Sequence, residues 1–230
     1  MTWSAARMTS ELRAAWAIAR KDITTYYIKP NIIMAGLLFP VFMFLAFASG
    51  RGSPSGTLIP GLIAITLLFS ASTIEPVSIP IERRMKTFDR LLSAPISIST
   101  IVLGESISGF LYSIGIALLP ILIGAILFPS PILHPLWLVL SIMLTAFLFA
   151  TMGTLFASYP TENVGEVMSI LNVVRLPLIF ISGVFIPISS MPPIGQSVAL
   201  FSPLTYANDL IRFGYAGDAQ FNPWASLAGL

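Results

Sequence analysis

Apolar side chains fall in five long runs: Asn31 to Ala48, Leu58 to about Pro80, Ile101 to Phe128, Leu136 to Ala157 and Val167 to Ile186. The hydrocarbon core of a bilayer is about 30 Å thick and needs about 20 apolar residues of helix, so each run is long enough to span it. The segments between them carry turn chemistry: Gly/Ser/Pro from Ser49 to Thr57, charges from Ile81 to Thr100, prolines from Pro129 to Pro135, and polar residues from Ser158 to Glu166. None has the character of a linker between domains. Ahead of the first run, residues Ser10 to Lys29 follow a helical period, with Leu12, Ala15, Trp16, Ala19, Ile23, Tyr26 and Tyr27 on one side and Arg13, Arg20, Lys21 and Asp22 on the other. That pattern predicts an amphipathic helix lying at a membrane surface, its rings at headgroup level and its cations towards anionic lipid. A surface helix packed on the bundle has the same period.

Beyond Pro187, Ile194 to Phe201 and Leu204 to Phe213 predict two short helices, broken by Ser202 and Pro203 and too short to cross. Residues Trp224 to Leu230 read as the opening of another apolar run. A sixth span is therefore expected, continued by about 20 apolar residues and closed by a few cations. The fold class is all-α: a polytopic membrane bundle of five complete spans and a truncated sixth, treated as one transmembrane domain over 1–230.

Composition supports this. Apolar residues make up 56% of the chain and charged ones 10%, against about 25% charged in soluble domains, and the mean hydropathy is +0.88. A water-soluble fold could not solvate such a surface. Cysteine is absent, which removes disulfides, thiolate metal sites and a cysteine nucleophile. The first long apolar run begins only near Asn31, too late for a cleavable signal sequence. Positive charges set the orientation: Arg7, Arg13, Arg20, Lys21 and Lys29 precede the first run, and Arg83, Arg84, Lys86 and Arg90 sit between the second and third, whereas the alternate loops hold only Arg51 and Arg212. The N-terminus and the 81–100 loop are thus expected in the cytoplasm of a cell-membrane protein. Loops 49–57, 129–135 and 188–225 are expected outside. The loop after the fourth run carries Glu162 and Glu166 and no cation.

The chain has no G-x-x-x-x-G-K-[ST] loop, since none of Lys21, Lys29 and Lys86 follows a glycine, so it cannot split ATP by that route. It has no H-E-x-x-H, and its one histidine, His134, reads as a loop residue. No G-x-S-x-G elbow occurs. No catalytic, metal-ligating or cofactor-binding residue is assigned. Charges inside the apolar runs carry more information, because each costs about 2.5–3.5 kcal/mol near the bilayer centre on insertion scales. These are Glu75, Glu105 and Arg175. Glu105 lies near one end of its run and either reaches the interface or acts within the membrane. Glu75 precedes Pro76, which frees a backbone carbonyl and suggests a kink. Arg175 is about 12 and 16 Å by helical rise from the two ends of its run and is expected to pair with a carboxylate, Glu75 first. Such a pair could be structural or could line a pathway; an ion-coupled carrier or channel would use Glu75 and Arg175 without any ATPase.

In the charged loop, Phe88, Leu91 and Leu92 repeat at three and four beside Arg83, Arg84, Asp89 and Arg90, which predicts a short amphipathic helix within Glu82 to Ser93, or else a charged turn. Here the chain resembles the ABC-2 type permease family, whose pattern between the second and third spans is close to E-R-x-x-G-T-x-E-x-L-x-x-x-P-x-S. The sequence reads Glu82-Arg83-Arg84-Met85-Lys86-Thr87-Phe88-Asp89-Arg90-Leu91-Leu92-Ser93-Ala94-Pro95-Ile96-Ser97. Lys86 stands in place of the usual glycine and Asp89 in place of glutamate. A second likeness is Leu176-Pro177 through Ser182-Gly183 to Pro187, followed by Pro192, then Ser202-Pro203-Leu204-Thr205-Tyr206 and Asp209-Leu210-Ile211-Arg212.

The resemblance implies six spans per subunit, two permease copies side by side as a homodimer, and two cytoplasmic ABC ATPase subunits that hold the ATP and Mg. It implies that Glu82, Arg83, Thr87, Phe88, Asp89, Leu91 and Leu92 form the coupling element seated in the ATPase. It also implies that Pro192, Pro203, Tyr206, Asp209 and Arg212 belong to short re-entrant outer helices within 188–225. The expected cargo is a hydrophobic or amphiphilic molecule, drug or lipid-like, with membrane lipid as the other partner and no role for nucleic acid.

Overall fold

In the computed structural model, the described residues are 5–27, 58–127 and 132–230, with 38, 41, 42 and 45. The first expected span and the 49–57 loop therefore lie almost wholly outside the described residues. The rest is helical, without strands among the described residues: α1 Ala5–Asp22, α2 Leu58–Arg84, α3 Thr87–Leu92, α4 Ile98–Leu127, α5 Pro135–Ala157, α6 Val164–Ile181, α7 Pro193–Ala199, α8 Pro203–Ala216 and α9 Pro223–Gly229. Helices α2, α4, α5 and α6 are long and apolar enough to cross a membrane. They match the second to fifth expected spans.

Helix α2 is the column of the bundle. Its apolar residues occur all round the helix, so no face suits water, and α4, α5, α6 and α8 pack about it. Some 89% of its most apolar stretch is buried, against 33% for α4 and 22% for α6, which leave wide apolar faces uncovered. The helix runs through Pro76 and Pro80 to Arg84, so Glu82 to Arg84 belong to its last turn and not to a loop.

The expected single helix from Glu82 to Ser93 is thus two elements. Lys86 has φ 58°, in the left-handed region, and this residue separates α2 from α3. A side chain in that conformation crowds the following carbonyl, which is why glycine is the usual residue there. The fifth span also has shifted bounds. Asn163 caps α6 by accepting from the Gly165 amide at 2.9 Å, and Glu166 accepts from Asn163 Nδ2 at 3.3 Å, so the helix starts before Val167. It ends at Ile181 because Gly183 turns left-handed (φ 76°) two residues on.

Helix α1 packs Ala15, Ile18 and Ala19 against α4, where Gly104 lets the backbones close: a Cβ at 104 would stand 2.9 Å from the Ala15 carbonyl oxygen. The helix gives way to a π-helical turn, Ile23–Tyr27. A second apolar strip on α1, Met8, Leu12 and Trp16, faces away from the bundle, each more than half exposed. The helix is therefore both packed and amphipathic, and Leu12 and Trp16 point away from the face that holds Ala15 and Ala19.

Candidate functional site

The basic end of the bundle carries α3. None of its six residues is buried. Phe88 and Leu91 are half-buried, while Asp89, Arg90 and Leu92 are exposed. Thr87 Oγ1 donates to the Glu82 carbonyl at 3.2 Å, which ties the start of α3 to the end of α2. Arg83 lies 5.4 Å from the Phe88 ring centre and donates to the carbonyls of Tyr159, Ser158 (3.3 Å) and Thr161 (3.4 Å). Those carbonyls end α5 and form the following loop, so one guanidinium clamps two connections of the bundle together. Periodicity did not reveal this role. An apolar hollow of about 230 Å³ lies beneath α3, lined among others by Ile79, Arg83, Phe88, Leu92 and Glu105.

Behind this platform is an ionic cluster of buried carboxyls and a partly exposed lysine. Lys21 Nζ of α1 lies 2.5 Å from Glu82 Oε1 of α2, 3.0 Å from Asp22 Oδ1 and 4.0 Å from Glu105 Oε1 of α4. Tyr26 Oη donates to Glu82 at 3.4 Å. Asp22, Glu82 and Glu105 are all buried, and Glu105 approaches α1, the helix expected at the interface. Burial pushes the Asp22 carboxyl up to about 6, with Lys21 pulling the other way. Burial also works against the Lys21 ammonium, but Asp22, Glu105 and Glu82 outweigh it and raise its pKa. Nearer the start of α1, Glu11 accepts from the Ser97 amide at 3.2 Å and from Thr100 Oγ1, which caps the N-terminus of α4 from another helix. These bonds hold its carboxyl below the usual range, Thr100 most of all. Glu11 sits among apolar positions in the pattern and gave no signal in the sequence.

Glu75 and Arg175 are fully buried but do not pair. Arg175 Nε donates to Ser72 Oγ at 3.0 Å and its Nη2 to Thr73 Oγ1 at 3.1 Å, with the Phe69 ring 5.2 Å away. Both hydroxyls donate in turn to carbonyls one turn back, leaving their lone pairs for the guanidinium. Glu75 points elsewhere, between α4 and α5. A Cβ at Gly109 would stand 2.3 Å from Glu75 Oε1, and one at Gly153 2.8 Å from Oε2, so two glycines make its space. The expected ion pair fails because Arg175 reaches α2 on its α6 side, whereas Glu75 leaves α2 on another.

The opposite end holds the predicted short helices. Pro192 precedes α7, and Pro203 opens α8. Thr205 Oγ1 and Tyr206 Oη donate to the carbonyls of Ala199 and Leu200, both at 2.7 Å, and so fix the break between the helices. Asp209 is buried and accepts from the Gln220 amide (2.6 Å), the Phe221 amide (3.3 Å) and Ser226 Oγ (2.7 Å), folding α9 back onto α8. Arg212 pairs with Asp218. His134 stacks on Phe213, ring centres 4.6 Å apart, and Trp137 meets both Phe213 and Trp224 edge-on, a packing role that the loop reading of His134 missed.

A bundle of apolar crossing helices, with charge gathered at one end and aromatic rings at the other, defines an α-helical membrane protein. The sequence profile of the family described as ABC-2 type transporter matches residues 13–215, and the chain belongs to that family. It is thus a permease, the membrane subunit of an ABC transporter. It is 24% identical over 216 residues to the inner membrane transport permease YadH of Escherichia coli K12, covering 90% of this chain and 83% of the relative. It is 25% identical to nodulation protein J of Rhizobium leguminosarum bv. viciae (78% and 73% covered). It is 23% identical to the probable multidrug ABC transporter permease YbhR of E. coli K12 (74% and 46% covered). No solved structure matches the chain.

Proposed function

We propose that this permease forms half of the pathway of an ATP-driven exporter and that α3 is the element its ATPase grips. One observation carries the reading: α3 buries no residue of its own, yet Thr87 and Arg83 tie its N-terminal side to α2 and to the loop after α5, and beyond its C-terminus Ser97 Oγ donates to Glu11 of α1. A push on such an element passes into the bundle instead of being absorbed by a loose loop. Phe88, Asp89, Leu91 and Leu92 are the gripping surface, while Glu82, Arg83 and Thr87 anchor it. The basic end faces the cytoplasm, in keeping with its cations. ATP and Mg belong to the partner subunit, and this chain contributes no catalytic group.

The uncovered face of α6, which includes Val173, Leu176 and Phe180, suits a second copy across a central pathway. The cargo is a hydrophobic or amphiphilic molecule, as the likeness to a permease named for multidrug transport suggests. The α7–α8 segment, with Pro192, Pro203, Tyr206, Asp209 and Arg212, caps the pathway at the outer end. The test is co-purification of the permease with its cognate ATPase, followed by Asp89→Ala and Leu91→Ala. We expect the complex to hydrolyse ATP with transport uncoupled. Survival of both ATPase association and transport when residues 87–92 are replaced by a Gly/Ser linker would overturn the reading.

A further inference from the structure

Four carboxyls are buried at or near the basic end of the bundle, and one ammonium faces them. Lys21 touches Asp22 and Glu82 and approaches Glu105, and Glu75 lies about two helical turns deeper on α2 than Glu82. Both oxygens of Glu105 are buried without a hydrogen-bond donor, although its carboxyl is aimed at the Lys21 ammonium 4.0 Å away. Both oxygens of Glu75 are likewise without a donor, closed in by Gly109 and Gly153. The elements packed here offer little else that is charged. Helix α1 and its π turn contribute Lys21, Asp22 and Tyr26; α2 contributes Glu75, Glu82 and, at the edge, Arg83, which is already committed to carbonyls; α4 contributes Glu105 and Tyr112; α5 has no titratable residue. Carboxylates a few ångströms apart in a low dielectric cannot all ionise against one cation. Something positive must join them. Among the described residues no three such side chains converge as metal ligands would. The smallest cation that needs no coordination shell is a proton.

We propose that the Lys21–Asp22–Glu82–Glu105 cluster is a proton-binding site that locks the interfacial helix α1 onto the bases of α2 and α4. The proton is shared by Asp22 and Glu105, while Glu82 pairs with Lys21, so its loss leaves an additional uncompensated negative charge beneath α1 and loosens that helix. Asp22, pushed up to about 6 by burial, agrees in sign: a carboxyl with a raised folded-state pKa stabilises the fold below its unfolded value near 3.8 and loses that contribution as pH rises through about 6. The site is independent of what the permease carries and of whether an ATPase binds α3.

The test is infrared spectroscopy of the purified full-length permease in lipid nanodiscs, following the carbonyl stretch of protonated carboxyls through a pH titration. We expect this band to be present at low pH and to disappear with a midpoint near pH 6, with opposite shifts in two variants. Lys21→Met, which removes the cation, should move its midpoint up by about one to three pH units, and Asp22→Asn, which removes a like charge, should move it down by a similar amount. Glu105→Gln gives a second downward shift or loss of the band if Asp22→Asn does not fold, and Lys21→Arg should leave the midpoint in place. A purely structural cluster would give no such opposition of sign. Absence of a carboxyl band that titrates near pH 6, a midpoint that none of these variants moves, or a band lost only in Glu75→Gln overturns the proposal. Transport and ATPase activity do not enter the readout, so the permease reading can fail without touching it.

Discussion

The two ends of the bundle are held by different forces. At the basic end, long charged side chains do the joining: Arg83 reaches three carbonyls, Lys21 reaches three carboxylates, and Glu11 caps a helix from outside it. At the other end the backbones themselves meet. A Cβ at Gly214 would stand 2.6 Å from the Leu138 backbone, and His134, Trp137, Phe213 and Trp224 close the gaps with rings. Close-packed contact is bistable at best and tolerates little sliding, whereas ionic tethers on flexible stems can follow a moving partner. On the proposed function the basic end is the one that moves, although Gly104 packs α1 closely there and Asp209 adds polar ties at the far end.

Arg175 bridges the middle, and its variants should have the largest effect. Arg175→Glu buries a carboxylate with no cation to meet it and removes the donors held by Ser72 and Thr73, at a cost of about 3–5 kcal/mol. Adding Glu75→Arg should not rescue it, because the 75 side chain faces Gly109 and Gly153 and has no room for a guanidinium. Thermal unfolding of the purified variants decides; recovery in the double variant would restore the direct pair that the geometry lacks.

The contrast between the ends predicts a ranking. Gly214→Ala forces a methyl into the Leu138 backbone and should destabilise by about 1–3 kcal/mol. Leu92→Ala, on the exposed α3, should stay within about 0.5 kcal/mol while transport driven by ATP falls. Arg83→Ala should lie between, at about 1 kcal/mol after discounting for its exposure, because it leaves the carbonyls after α5 to water. Equal destabilisation by Gly214→Ala and Leu92→Ala would erase the distinction between a fixed and a movable end.

What could be read from the chain beforehand follows the same division. Apolar periodicity reports burial, so four spans, the short outer helices and the buried state of Glu75 and Arg175 were legible. Direction was not. Hydropathy places Arg175 at depth but carries no sign of which side of α2 it meets, and so it suggested Glu75 where Ser72 and Thr73 are the partners. Long-range tethers were invisible for a similar reason. Glu11 to Thr100 and Arg83 to Tyr159 join positions far apart in sequence, and neither leaves a local pattern. The capping of α6 by Asn163 and Glu166 was legible in principle, since Asn-x-x-Glu is a helix-start signal, but the apolar run drew the boundary instead.

The smallest effect tests the finest of these details. Lys86 occupies a left-handed turn that glycine would enter freely, and its side chain offers only an exposed ion pair with Glu162 at 3.4 Å. Such a pair contributes little in water. Lys86→Gly relieves the backbone but widens the unfolded ensemble, so its net stability change should stay within about 0.5 kcal/mol. Lys86→Ala loses the same ion pair and keeps a Cβ in the unfavourable region. The difference between the two variants therefore isolates the turn, and glycine should be the more stable by about 1 kcal/mol in thermal unfolding. If alanine and glycine are equivalent there, α2 and α3 are joined without a left-handed residue, and the hinge on which α3 is hung at the basic end has another geometry.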